Sequence, residues 1–301
     1  AKKATWGKMT TAADTGAGTG AVYLPLIFFF NRNPGLYLPL IALQYHEVRI
    51  DIDLASDFST YCNSSVFKVW ANYIYLDTEE RRRFAQKGHE YLIEQVQHTG
   101  VDTVDAGTLL NPATKQIRLS YNHPVKELVW CFSNTQTQNS MWNFTTAPGA
   151  NDIVLESNAF AQTSGNCYVP TTFAAGVPLV SVGESESLVQ FSEENVGPLT
   201  DFKLILNGQD RFKAQKGKYF NQVQAYNHHS GSPYPGVYSY SFALKPEEHQ
   251  PTGTCNFSRI DNAQVAIVTA AAGNATNLHM FATNYNVLRI QSGMGGLAFS
   301  N

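Results

Sequence analysis

Apolar and polar residues alternate along this chain in one short stretch after another, the period of a half-buried β-strand. In 47–54, Val48, Ile50, Ile52 and Leu54 fall on one side, and Glu47, Arg49, Asp51 and Asp53 on the other. Phe67, Val69, Ala71, Tyr73 and Tyr75 line one face of the next segment. Ile117, Leu119 and Tyr121 alternate with Gln116, Arg118 and Ser120. Leu128, Trp130 and Phe132 share a face, as do Phe202, Leu204 and Leu206. Tyr238, Tyr240, Phe242 and Leu244 oppose Val237, Ser239, Ser241 and Ala243. Segments 265–268 and 286–290 read as further strands. Turn signals separate them: Asn33-Pro34-Gly35, Asn111-Pro112, Asn122-His123-Pro124, Asn207-Gly208, Pro235-Gly236 and Gly253. Many short strands joined by Gly/Pro turns predict a β-sandwich or barrel. Its core is expected to hold Trp130, Phe132, Leu204, Leu206, Tyr240, Phe242 and Leu288.

Two segments carry helical signals instead. In 77–85, Asp77 or Thr78 can cap the start, Glu79 and Glu80 sit at the positive end of the dipole, and Arg81, Arg82 and Arg83 lie nearer its negative end. Gly88 stops the helix, and its place between strand-rich regions marks it as a domain junction. The second segment, 218–224, is weaker. Region 146–200 is rich in Gly, Ser, Asn and Pro and reads as long loops with one or two strands.

Composition narrows the class. Only 15% of the 301 residues are charged, against roughly 25% in a typical soluble domain. With 12% aromatic residues the chain is not disordered, and a surface so short of charge is expected to be covered by partners. A formal net charge of −3 provides no basic excess for phosphates, so direct nucleic-acid binding is not expected. The longest apolar run, 21–30, is broken by Pro25, so no segment is expected to enter a membrane. Cys62, Cys131, Cys167 and Cys255 are far apart and read as reduced thiols made in a cytosol-like compartment.

No catalytic constellation emerges. Gly16-Ala17-Gly18-Thr19-Gly20-Ala21 fits a dinucleotide fingerprint formally but lacks the preceding strand and following helix, and reads as a loop. Gly293-Met294-Gly295-Gly296 lacks the Lys-Ser/Thr of a phosphate loop. His46-Glu47 lacks the second histidine of a zinc-protease helix, and no serine sits in G-x-S-x-G. His228, His229 and His249 have no carboxylate or cysteine spaced to complete a metal set, and read as exposed loop histidines. Arg81–Arg83 balanced by two Glu reads as a solvated or inter-domain helix face. The glycosylation sequons at Asn63, Asn143, Asn256 and Asn274 read as chance matches. No catalytic, cofactor or metal residue is therefore expected. Two functions fit: a structural protein that tiles with its own copies, or a carbohydrate-binding, lectin-like sandwich. Aromatics held inside strand alternation favour the first.

Long strings decide further. NRNPGLYLPLIALQYHEV (31–48), YIYLDTEERRRFAQKGHEYLIEQ (73–95), LNGQDRF (206–212), GVYSYSFALKPEEHQPTGTCNFSRIDNA (236–263) and NYNVLRIQSGMGGLAFSN (284–301) resemble the major capsid protein of the nucleocytoplasmic large DNA viruses, nearest the algal-virus and amoebal-virus branches. The resemblance covers the chain from about residue 21 onward, outside the loops near 146–200. It implies an all-β double jelly roll, two antiparallel eight-stranded sandwiches with the first incomplete here. The expected organisation is 1–76 as the C-terminal part of the first roll, 77–89 as inter-domain helix and linker, and 90–301 as the second roll, with the opening strands of the first roll missing from the sequence.

The resemblance also implies the role: a non-enzymatic subunit without cofactor. It forms a homotrimer of pseudo-hexagonal outline and tiles an icosahedral virion against neighbouring capsomers and minor capsid proteins. The shell overlies an internal lipid membrane, and the protein is made in the host cytoplasm.

Overall fold

The computed structural model describes residues 9, 22–54, 67–105, 113–134, 153–154, 169–170, 198–231, 233, 236–269 and 276–299. The chain divides into two compact units, one of Ala1–Leu26, Glu94–Tyr285 and Asn301, the other of Ile27–Ile93 and Asn286–Ser300. In chain order the strands are β1 (His89–Val104), β2 (Ala113–Leu119), β3 (Pro124–Asn134), β4 (Ile153–Val154), β5 (Val169–Pro170), β6 (Leu199–Leu206), β7 (Gln209–Asp210), β8 (Gln215–Lys216), β9 (Val237–Ser241), β10 (Cys255–Asn256), β11 (Ala263–Thr269), β12 (Thr276–Gln291) and β13 (Met294–Leu297).

Most of the strands belong to two antiparallel sheets. One runs β1-β12-β3-β10, with β9 also on β3 and β13 on β12; the other runs β2-β11-β6-β7, with β8 also on β6. The first long strand lies beside the last, and the second beside the next to last. Pairing from the ends inward, with successive strands in opposite sheets, is jelly-roll topology. The expected all-β class and jelly-roll sandwich are therefore observed.

Strand alternation explains what fills the space between the sheets. Along β11 every second residue is buried, with Val265 and Ile267 fully inside. Trp130 of β3 stacks on Phe202 of β6, ring centroids 4.3 Å apart, and lies 5.4 Å from Phe220 and 5.9 Å from Tyr238. Of the expected core, Trp130, Phe132, Leu204 and Tyr240 are buried. Leu206, Phe242 and Leu288 are only half-buried. Each lies where packing runs out: Leu206 ends β6, Phe242 follows the end of β9, and Leu288 pairs with Leu297 of the four-residue β13.

Local signals set the register. Asn207 (φ 51°) and Gly208 (φ 78°) both take left-handed backbone, making the two-residue turn that pairs Leu206 with Gln209. The second helical signal extends beyond 224: a π-turn over Tyr219–Val223 leads into α2 (Gln224–His228). Its entry needs Gly217, where a β-carbon would lie 2.1 Å from the Leu199 carbonyl oxygen. Gly217→Ala is expected to cost about 1–3 kcal/mol through overpacking against rigid backbone, read as a lower midpoint in chemical unfolding.

In the second unit, helix α1 spans Thr78–Gln86, as the capping signals predict. Asp77 accepts a hydrogen bond from the Glu80 amide at 2.9 Å, and Arg82 pairs with Glu79 at 3.4 Å. Asp77→Ala should cost about 1 kcal/mol. It should also speed amide exchange in the first turn of α1 relative to the last.

The strands expected over 47–54 and 67–75 are a correction. Both segments lack strand structure and pair in no ladder among the described residues. Ile50 and Val69 remain 42% and 56% exposed. Alternation marks a face that can be buried, but a strand also needs a neighbouring backbone to pair with. Here none is supplied among the described residues.

Candidate functional site

Residues singled out by their chemistry are held in structural roles. His228 donates from Nδ1 to the Leu244 carbonyl at 3.0 Å, and His249 is half-buried in the following loop. All three are half-buried, not the exposed loop histidines expected, and His229 faces two carboxylates. Its Nε2 lies 2.5 Å from Glu127 Oε1 and its Nδ1 3.3 Å from Glu247 Oε1. The two carboxylates flank opposite ring nitrogens and do not converge on one point. No group of three His, Cys, Asp or Glu suited to a metal ion occurs among the described residues. Elemental analysis of the purified protein is expected to find zinc well below one per chain; stoichiometric zinc would return His228, His229 and His249 to a ligand role.

The other candidates fare similarly. Gly293 follows Ser292 in a tight turn joining β12 to β13, and its carbonyl accepts a hydrogen bond from the Tyr45 amide at 2.9 Å. His46-Glu47 lies in an exposed irregular segment, not on a strand. Arg81–Arg83 occupy an exposed helix face. Asn256 accepts a hydrogen bond from the Ser258 amide at 3.1 Å, while the Ser258 hydroxyl accepts one from the His123 amide at 2.7 Å. Cys131 and Cys255 are free, and burial pushes the Cys131 thiol up to about 11, which keeps it protonated and unreactive at neutral pH. Gly16–Ala21, Cys62, Cys167, Asn63, Asn143 and Asn274 lie outside the described residues.

What the sequence reading missed is a polar cluster on β3. The face shared by Leu128, Trp130 and Phe132 would place Lys126 inward too. Instead the ladder slips at that point: Glu127 pairs with Thr283 and Val125 with Asn284, leaving Lys126 unopposed as a bulge. Its carbonyl accepts from the Phe242 and Ala243 amides at 2.9 and 3.2 Å. Its ammonium pairs with Glu94 of β1 at 2.5 Å and lies 5.3 Å from the centre of the Tyr285 ring. Adjacent Glu127 is buried against His229. Burial and the Glu94 charge push the Tyr285 phenol up to about 12. A hydrogen-bonded ion pair of this kind fixes geometry but offers no substrate access and no nucleophile. Only the Lys126-Glu127 dipeptide inside an apolar run hints at it in the sequence.

Several large apolar side chains are exposed among the described residues. Val96 and Val101 of β1, Tyr226 of α2 and Leu244 are exposed in the first unit; Trp70, Tyr73, Ile74 and Tyr75 are exposed in the second. An all-β module with little charge, many exposed apolar side chains and no reactive constellation among the described residues has the character of an assembly protein.

Comparison with known proteins identifies the class. The family model for the large eukaryotic DNA virus major capsid protein matches residues 80–296, and one for the major capsid protein N-terminus matches 2–77. The chain belongs to the large eukaryotic DNA virus major capsid protein family. It is 44% identical to the major capsid protein of Paramecium bursaria Chlorella virus 1 across 93% of its own length and 66% of that protein's. It is 39% identical to the major capsid protein of Phaeocystis pouchetii virus across 93% of its length and 65% of that protein's. The chain thus spans just under two thirds of the length of these curated relatives. Among solved structures it matches a chain of the PBCV-1 virus capsid with a TM-score of 0.67 and 37% identity, covering 99% of this chain and 75% of that one.

Proposed function

We propose that this chain serves as a shell subunit of a large double-stranded DNA virus. The family match over 80–296, laid on a jelly-roll sandwich, is the observation that carries this reading. In it, 1–76 contributes to a first jelly roll, 77–89 is the connecting helix and linker, and 90–301 is the second roll. Three such chains close into a trimer of pseudo-hexagonal outline through heterologous contacts, and trimers tile an icosahedral shell beside neighbouring capsomers and minor capsid proteins.

The role requires no catalysis, cofactor or direct contact with nucleic acid. Among the described residues no helix is long and apolar enough to cross a membrane, and the reading places any lipid layer beneath the shell. Synthesis in host cytoplasm followed by incorporation into the virion completes it. Exposed Val96, Val101, Tyr226 and Leu244 support it, because apolar surface of this kind is stabilised when a neighbour covers it. Quantitative peptide mass spectrometry of purified particles tests the role. Peptides from β1 and β12 should rank among the most abundant protein signals, and their absence from intact particles contradicts it.

A further inference from the structure

We propose that His229 is a proton-operated clasp: charged, it ties the end of α2 and the 242–252 loop to β3, and losing its proton as pH rises frees that corner of the first unit. The argument rests on which atoms face the ring. Nε2 meets Glu127 Oε1 at 2.5 Å and Nδ1 meets Glu247 Oε1 at 3.3 Å. A carboxylate only accepts hydrogen bonds, and a neutral imidazole has one donor and one lone pair. Only the imidazolium can satisfy both contacts; the neutral ring turns a lone pair toward one carboxylate, whichever tautomer it takes.

The clasp joins three elements that are distant in sequence. Glu127 belongs to β3, and its side chain is 10% exposed. His229 caps α2, its amide bonded to the Ala225 carbonyl at 2.9 Å. Glu247 lies in the loop after β9, and its Oε1 also accepts from the Ser230 amide at 3.1 Å. The other charges near the ring are already engaged. On β3, Lys126 pairs with Glu94 of β1. Within the loop, Lys245 pairs with Glu248 at 2.9 Å. His228 on α2 bonds the Leu244 carbonyl, and His249 is the remaining titratable group of the loop. None of these supplies a second cation to the two carboxylates.

The electrostatics run the same way. The Glu127 hydrogen bond is the main influence raising the His229 pKa above the usual 6.5; burial opposes it, and the Glu247 contact adds to the rise. A raised pKa in the folded protein means that the contribution is fully present below about 6.5 and is lost as pH climbs through the folded value. The elements so tied carry Tyr226 and Leu244, 89% and 72% exposed. Release therefore alters how that apolar surface is presented.

Hydrogen exchange read by mass spectrometry on the full chain, corrected for intrinsic exchange, tests the clasp at about pH 6 and about pH 9. In the wild type, protection of 224–231 and 242–252 should fall severalfold at the higher pH, while β11 changes little. His229→Gln should hold both segments at the low level at either pH. Should that variant misfold because Glu127 is left buried and unpaired, Glu247→Gln, at a side chain 47% exposed, keeps the Glu127–His229 contact and should still flatten the response of 242–252. Equal wild-type protection at both pH values overturns the proposal. So does a pH response that survives unchanged in either variant.

Discussion

Trp130→Ala is expected to destabilise the protein by about 3–5 kcal/mol, the cost of truncating a large aromatic in a closed core. For a unit of this size that lowers the thermal midpoint by roughly 6–20 °C. Trp130 is fully buried and is the point where the sheets meet, stacked on Phe202 at 4.3 Å and flanked by Phe220 and Tyr238. Partners from β6, the π-turn and β9 cannot all collapse into the void. The indole Nε1 has no hydrogen-bond partner among the described residues. Trp130→Phe therefore removes an unsatisfied donor along with some volume and should cost well under half as much. Phe242→Ala should also cost less than Trp130→Ala, because Phe242 is only half-buried. Differential scanning calorimetry orders the three variants. Equal midpoints for Trp130→Ala and wild type would mean that Trp130 is not at the sheet interface.

Lys126→Ala should be similarly damaging, at about 3–5 kcal/mol, because it takes away the ammonium that faces the largely buried Glu94 carboxylate. The Lys126 side chain is 4% exposed and that of Glu94 is 13% exposed. The loss comes chiefly from the charge left behind, so removing both charges should recover much of it. The Lys126→Met, Glu94→Leu double variant is expected to unfold within about 1–2 kcal/mol of wild type, since well-packed apolar residues commonly replace a buried pair at little cost. A double-mutant cycle on chemical denaturation midpoints separates the effects. Additive losses would show that the two residues do not act as a pair.

These two sites also show what could be read in advance. The Trp130 face follows from alternation alone, because Leu128, Trp130 and Phe132 keep strict period two and the strand stays regular beneath them. The Asn207-Gly208 turn and the Asp77 cap were equally legible, since each depends on residues within three positions of one another. Lys126 was not, because one unopposed residue in the β3–β12 ladder resets the faces. No periodicity marks which residue a neighbouring strand will skip. The His229–Glu127 contact spans 102 positions, and no spacing rule reaches across that separation. Segments 47–54 and 67–75 fail for the opposite reason. Their alternation is clear, but among the described residues it has no ladder to join.

The family strings proved more informative than any single motif. His228, Gly293 and Asn256, read in the sequence as carrying no chemistry, lie at a helix end, in a tight turn and at a cap. Alternation over β3, β6 and β11 pointed to a sandwich; the sheet order β1-β12-β3 against β2-β11-β6 makes it a jelly roll.

In the proposed role, copies of this chain assemble with one another. Multi-angle light scattering of the purified protein, at micromolar concentration and neutral pH, measures that most directly. The expected result is the mass of three chains, with little monomer, because obligate interfaces bury upwards of ~2,000 Å². A soluble, folded monomer that persists across the concentration range and never trimerises would contradict it.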